Sequence, residues 1–287
     1  MTGSKSNVVV VTGASGFIGR YCCNHLASSG FDVIRVGRAS SDDVYCDLEC
    51  LDSLCSLNSL PAYKAFIHLG AHVGWDGSPL QDMFLPNIVS TALIADITRK
   101  HGAHLVFASA AIIAGLNTED ISASSVDNPD TLYAKSKELA EQCLSASGVS
   151  AAILRVGGVY GLNGPCHLGL NRTIKAALKG ETPVIYGSGS GKRNYIYVED
   201  LASIIVATVQ AGVTGTHLVS GHEVLSIVEM YQLICESFDL SSPLLLQTGD
   251  SSRSQIVSAL PRFTGKSSFS ESLMTIRQLS CNLPLMT

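Results

Sequence analysis

The sequence predicts an α/β fold: a Rossmann-type doubly wound parallel sheet followed by a small C-terminal substrate lobe. Three observations predict it. Val8-Val9-Val10-Val11 is an unbroken β-branched run, the pattern of a strand buried on both faces of a parallel sheet. A glycine-spaced turn, Gly13-x-x-Gly16-x-x-Gly19, follows it directly and leads into a helical stretch. Strand and helix patterns then alternate as far as Val156, which is how a doubly wound sheet reads along the chain. Right-handed crossovers would put its helices on both faces.

The first helix is expected over about 20–28, ended by Gly30, and the second strand over Asp32–Val36. Further strands are expected at Ala65–Leu69, Leu105–Ala108 and Ala151–Val156, with helices at about 87–100 and 131–146 between them. Beyond residue 160 the rhythm breaks into glycine-rich punctuation, including Gly164-Pro165 and Gly187-Ser188-Gly189-Ser190-Gly191, which marks loops. Helical patterns recur near 168–179, 200–211, 226–238 and 269–280. Residues 1–160 are therefore expected to form the sheet core. Residues 161–287 are expected to form mainly a substrate-binding lobe, with some segments returning to the core. The Gly187–Gly191 run reads as a flexible substrate loop.

Composition narrows the function. The 287 residues are 46% hydrophobic and 15% charged, far from the profile of a disordered chain. A net charge of −5 argues against nucleic acid or an anionic membrane surface as partner, since both need clustered positive charge. No apolar run approaches the ~18–20 residues of a membrane span, and the opening residues lack the regions of a secretory signal. Nine cysteines are expected as reduced thiols in a cytoplasmic protein. Cys46, Cys50 and Cys55 match no zinc-ligand spacing, so no metal is expected.

The chemistry starts at the glycine turn. Its glycines permit a tight turn and close approach of backbone to a pyrophosphate, while the following helix offers free N–H groups and a positive dipole end. Gly13, Ser15, Gly16, Phe17 and Ile18 are the expected contacts. The second strand ends Val36-Gly37-Arg38 with no carboxylate at its tip. An acid there would select NAD through the ribose 2′-hydroxyl, whereas an Arg suits the 2′-phosphate of NADP. Arg38 thus favours NADP, with NAD the alternative; the blander reading makes Arg38 a solvated loop residue.

Tyr133 and Lys137 are four residues apart in a helical pattern and so share a helix face. A neighbouring ammonium lowers a phenol pKa, which makes Tyr133 a candidate general acid/base. His68 reads as strand-end packing. His72 and Trp75 are candidates for substrate contact, and His101 and His104 look solvated.

With these motifs in this order, residues 7–210 resemble the extended short-chain dehydrogenase/reductases, the NAD(P)-dependent sugar epimerase/dehydratase group. The resemblance is carried by the turn at 12–19, Cys46-Asp47-Leu48, His68-Leu69-Gly70-Ala71, Asn87, the segment Phe107–Gly115, Tyr133-x-x-x-Lys137, Leu154-Arg155, Val159-Tyr160-Gly161 and Arg193–Leu201. It implies cofactor contacts at Asp47, Leu48, Leu69, Gly70, Ala71, Asn87, Tyr133 and Lys137. It implies catalysis by Tyr133 and Lys137 with a Ser or Thr, and a substrate diphosphate held by Arg193. It also implies a homodimer built on the helices at 87–100 and 131–146.

Three features depart from the family pattern. The catalytic Ser/Thr position falls on Ala110, with Ser109 one residue earlier as the candidate substitute, although neighbouring strand side chains face opposite sides. The substrate-binding Asn position falls on Gly158. Beyond Asp239 few family residues are recognisable. The function implied is an NAD(P)-dependent epimerase, dehydratase or reductase acting on a hydroxyl or keto group of a nucleotide-linked sugar. The alternative is a cofactor-binding protein of the same fold with a non-catalytic or regulatory role.

Overall fold

The computed structural model describes residues 7–74, 77–246 and 253–281. Trp75 lies outside the described residues. Chain contacts divide the protein into two compact units, one of 1–115, 126–156 and 201–217 and the other of 116–125, 157–200 and 218–287.

The first unit is built on a sheet whose strands are β1 (Val8–Thr12), β2 (Asp32–Gly37), β3 (Val44–Tyr45), β4 (Ala65–His68), β5 (His104–Ala110), β6 (Ser150–Val156) and β7 (Gly215–Val219). Their spatial order is β7-β6-β5-β4-β1-β2-β3. β1 pairs in parallel with both β2 and β4, so the chain order reverses between β1 and β4. That reversal makes a topological switch point, where open α/β sheets bind ligands outside the carboxyl ends of their strands. Val9, Val10, Val11, Ala65, Phe66, Ile67, Leu105, Val106 and Phe107 are all fully buried, as the β-branched run requires of a strand covered on both faces.

Helices α1 (Phe17–Ser28), α2 (Leu51–Ser56), α3 (Ser90–Lys100) and α4 (Leu132–Ser147) belong to this unit. α1 begins at the glycine turn, three residues before the helix expected from about residue 20. α4 starts where Thr131 caps it, its Oγ1 accepting from Ala134 N at 3.1 Å. The helix expected to begin at 87 instead continues a helical run from Leu80, with a π-helical segment at Phe84–Val89. Pro86 sits in that segment and lacks the N–H an α-helix would use there. His101 and His104 are half-buried, each with a packing or polar neighbour. His101 stacks on Tyr63 with centroids 4.5 Å apart, and burial lowers the pKa of His104, which lies 3.2 Å from Ser150 Oγ.

The second unit carries α5 (Gly169–Ala177), the start of α6 (Val198–Ala211), α7 (Ile227–Ser237) and α8 (Phe269–Cys281), with short paired strands between them. A capping box opens α7: Ser226 Oγ accepts from Glu229 N, while Glu229 reaches back to Ser226 N. Among the described residues, no helix is long and apolar enough to cross a membrane.

Candidate active site

Thr12 ends β1, and Gly13 turns the chain at φ +66°, a conformation that only glycine adopts readily. A Cβ on Gly13 would lie 2.9 Å from Gly70 N, and one on Gly19 would overlap Gly13 O. The turn therefore needs hydrogen at both positions. Gly16 caps α1 without a side-chain hydrogen bond, and no acidic residue occupies the first turn. Free N–H groups, a positive helix end and a cradle without side chains fit an anionic pyrophosphate. Ser15, Phe17 and Ile18 stand in or open this segment as expected.

Next to it, Leu48 Cδ1 would lie 2.6 Å from a Cβ on Gly70, which brings two of the expected contacts together. Ala71 and Leu69 flank Gly70 on the loop leaving β4. Asp47 accepts from Glu49 N at 3.0 Å and pairs with the exposed Arg38 guanidinium at 3.8 Å. A carboxylate does reach the tip of β2, contrary to the strand-end reading: Asp42, from the following loop, folds back against Gly37.

Asn87 does not open a helix. It is buried in the π-helical segment, accepts from His72 N at 2.7 Å, and donates to His72 O at 2.8 Å and Ser136 Oγ at 2.9 Å. It thus ties the loop after β4 to α4. His72 is half-buried, and its Nε2 lies 3.2 Å from Ser78 Oγ. His68 packs at the strand end as expected. Its Nδ1 is 2.7 Å from Thr12 Oγ1 and its Nε2 is 3.2 Å from Thr91 Oγ1. Burial, with the charge of Lys137, lowers its pKa to about 3, so this imidazole is neutral across the physiological range.

Lys137 is 2% exposed. Its Nζ donates to Ala108 O at 2.8 Å and lies 4.5 Å from the Phe107 ring centroid and 5.9 Å from that of Tyr133. Burial pulls its pKa down to about 7, with Glu141 partly opposing. Tyr133 keeps partial exposure, yet the surrounding protein raises its pKa to about 12. The expected lowering by Lys137 is not seen in this geometry. Desolvation dominates, because Lys137 sheds its proton near 7 and carries no charge where the phenol titrates.

Ser109 faces Glu141 and donates its hydroxyl hydrogen to that carboxylate. Arg155 donates to the same carboxylate from Nε at 3.0 Å and Nη2 at 2.7 Å, and to Asp127 from Nη1 and Nη2 at 2.6 and 2.7 Å. Ala110, the next residue, ends β5 with no hydroxyl. The Ser109–Glu141–Arg155–Asp127 network escaped sequence reading. One signal for it exists: Glu141 follows Lys137 by four residues on the same helix face.

In the second unit, Arg193 donates from Nη1 to Lys192 O at 2.9 Å and to Arg253 O. It lines a small cavity with Tyr160, Tyr195, His222, Glu223 and Phe269. A Cβ on Gly158 would overlap the Tyr195 ring, so an Asn at 158 has no room. The Gly187–Gly191 run is held at two points, Val228 N donating to Gly189 O and Ile227 N to Gly191 O, both at 3.1 Å. Among the described residues no cluster of three or more His, Cys, Asp or Glu side chains could hold a metal ion.

The chain is similar to several known proteins. A Methanocaldococcus jannaschii protein named for UDP-glucose 4-epimerase activity is 27% identical over 68% of this chain and 71% of its own. The dTDP-4-dehydro-6-deoxy-D-allose reductase of a Streptomyces species is 24% identical, over 79% of each chain. The crystal structure of Thermotoga maritima UDP-glucose 4-epimerase with UDP-glucose superposes with a TM-score of 0.83 at 21% identity, over 96% of this chain and 99% of that one. The family model described as NAD dependent epimerase/dehydratase family matches residues 9–221, and the chain belongs to that enzyme family.

Proposed function

We propose that this protein binds a nicotinamide dinucleotide at the Gly13–Gly19 turn and oxidises or reduces a hydroxyl or keto carbon of a nucleotide-linked sugar, as a 4-epimerase or a 4-ketoreductase. The observation that carries the reading is the pairing of Tyr133 with Lys137 on α4, in the unit that holds the glycine turn and with Lys137 Nζ fixed to β5 at Ala108 O. The bound dinucleotide supplies the acceptor or donor of hydride. Tyr133 Oη takes or returns the proton of the sugar hydroxyl. Lys137, fixed by β5, provides the nearby positive charge when protonated. Asn87 holds the loop of His72 against α4, and Arg193 offers a guanidinium to the substrate diphosphate.

The names of the relatives support the substrate class, because they include both an epimerase of a UDP-sugar and a reductase of a dTDP-keto-sugar. Arg38, exposed at the end of β2, is the feature that favours NADP, and Asp42 beside Gly37 is the feature that favours NAD. A homodimer through α3 and α4, and a cytoplasmic location, accompany this reading. The test is to incubate the purified protein with UDP-glucose, and separately with a dTDP-4-keto-sugar plus NADH or NADPH, and to resolve products by chromatography. Epimerised or reduced sugar nucleotide that disappears in Tyr133→Phe supports the assignment; product formation that Tyr133→Phe leaves unchanged sinks it.

One observation favours a second reading, a cofactor-binding protein with little turnover. Ala110 supplies no hydroxyl, and Ser109 spends its own on Glu141. Dinucleotide binding without conversion of any sugar nucleotide would favour it.

A further inference from the structure

Gly158 and Gly221 together hold Tyr195. A Cβ on Gly158 would overlap the Tyr195 ring, and one on Gly221 would overlap the Tyr195 carbonyl oxygen, so the chain closes on this tyrosine at two places that carry no side chain. Hydrogen bonds fix the backbone on either side of it. Ile196 N donates to Gly158 O at 2.9 Å, and Gly221 N donates to Asn194 O at 3.1 Å. The buried Asn194 side chain donates to Gly221 O and Val257 O and accepts from Val257 N. The Tyr195 ring thus fills the space in which the Asn that the family resemblance implies at 158 would begin its side chain.

Arg193 stands two residues before Tyr195 and lines the same small cavity. Its Nη1 donates to two backbone carbonyls, those of Lys192 and Arg253. Two acceptors use both hydrogens of that nitrogen and leave Nε and Nη2 to meet other groups. Burial pushes the Tyr195 phenol up, opposed by the charge of Arg193 and by a hydrogen bond with its side chain. The phenol is therefore neutral, and its oxygen accepts from the guanidinium.

We propose that Tyr195 is a positioning residue for the substrate diphosphate: it takes the place of the absent Asn and orients the Arg193 guanidinium that meets the phosphates. The inference rests on the reading of Arg193 as the anchor of a nucleotide-linked sugar. Carbonyls at Nη1 and the phenol oxygen beyond it hold the guanidinium at two points, which fixes its plane. A fixed plane is what paired hydrogen bonds to a phosphate require. An arginine without that hold would lose its rotamer freedom on binding, at a cost in affinity. Phenylalanine at 195 keeps the ring packed against Gly158 and removes only the hydroxyl.

The test is calorimetric titration of wild type, Tyr195→Phe, Arg193→Ala and the double variant with UDP and with dTDP. Thermal melts of each variant would establish that it folds. Wild type is expected to bind at least one of the two, and Tyr195→Phe to bind it about tenfold more weakly, the weight of one hydrogen bond. In the Arg193→Ala background the same change should cost less than about twofold, because a residue that acts through Arg193 has nothing left to hold. In turnover of UDP-glucose or a dTDP-4-keto-sugar the loss should appear in KM, with kcat within about twofold of wild type. Wild-type affinity in folded Tyr195→Phe, or a loss that multiplies in full with that of Arg193→Ala, overturns the proposal while leaving the sugar-nucleotide reading intact. Binding of neither UDP nor dTDP by wild type removes the reading of Arg193, and the proposal with it.

Discussion

Ser109 gives its hydroxyl hydrogen to Glu141, and Arg155 forks the same carboxylate. The hydroxyl nearest in sequence to the family's catalytic Ser/Thr position is therefore committed inside the first unit, facing α4. Ser109→Ala is expected to change kcat by no more than about threefold. It should lower stability by about 1 kcal/mol, the usual loss for one hydrogen bond to a group that keeps other donors. Ala110→Ser is the informative partner. It places a hydroxyl at the position that the family resemblance implies for the catalytic Ser/Thr, and kcat/KM is expected to rise about tenfold or more, within the range that a single carbonyl-polarising donor supplies. A large loss in Ser109→Ala with no gain in Ala110→Ser would mean that Ser109 reorients toward substrate.

Arg155 joins two acids on different elements, Glu141 on α4 and Asp127 in the segment before it, and its side chain is 18% exposed against 9% for Glu141. Among the described residues, Arg155→Met would leave Glu141 with only the Ser109 donor in a largely buried place. Removing one partner of a buried ion pair costs ~3–5 kcal/mol; partial exposure of Asp127 places the expectation at the lower end, about 3 kcal/mol. Urea or thermal unfolding would read it as a fall of several degrees in Tm. A loss below about 1 kcal/mol would show that water already screens the pair.

How much of this could be read from sequence depends on the distance over which each signal acts. The four valines, the glycine spacing and the Tyr133–Lys137 interval are local, and local periodicity reports backbone geometry directly. The turn and α4 accordingly lie where the sequence puts them. Asp42 could not be placed that way, because its return to Gly37 depends on a loop hydrogen-bonded to Ser15 in another element. Arg155 and Glu141 are likewise brought together only by β6 and α4 packing. The Tyr133 pKa is a further case. The sequence supplies a lysine four residues away, but burial also strips that lysine of its proton near 7, so burial alone sets the phenol.

Lys137 gives stability a pH dependence of known sign. The unfolded chain holds this proton up to the ordinary 10.5, whereas the folded protein releases it near 7 because burial disfavours the ammonium. Between these values the unfolded state binds more protons, so the Lys137 contribution to unfolding free energy rises with pH. Below about pH 7 its penalty is complete. Lys137→Met is therefore expected to be more stable than wild type at pH 6, with the gap closing toward pH 10. Parallel denaturant unfolding at several pH values checks this, and a gap independent of pH would show that the ammonium is better solvated than its surroundings indicate.

Tyr133 separates binding from chemistry. Tyr133→Phe removes one oxygen from a partly exposed ring, so dinucleotide affinity should fall by no more than about tenfold, the weight of the one hydrogen bond that the expected Tyr133 contact supplies. Turnover should fall by ~10²–10⁴, the range for losing a positioned general acid/base. Without dinucleotide, the phenol raised to about 12 by burial should contribute no phenolate absorbance below about pH 10, read as the difference between wild type and Tyr133→Phe. When dinucleotide and substrate are present, the pH profile of kcat/KM reports whether that value persists. A rate of sugar oxidation that climbs steadily to pH 10 would mean that Tyr133 still resists ionisation. A plateau beginning near pH 8 would mean that ligand binding keeps Lys137 protonated and brings its charge to bear on the phenol, since desolvation alone only raises a phenol pKa.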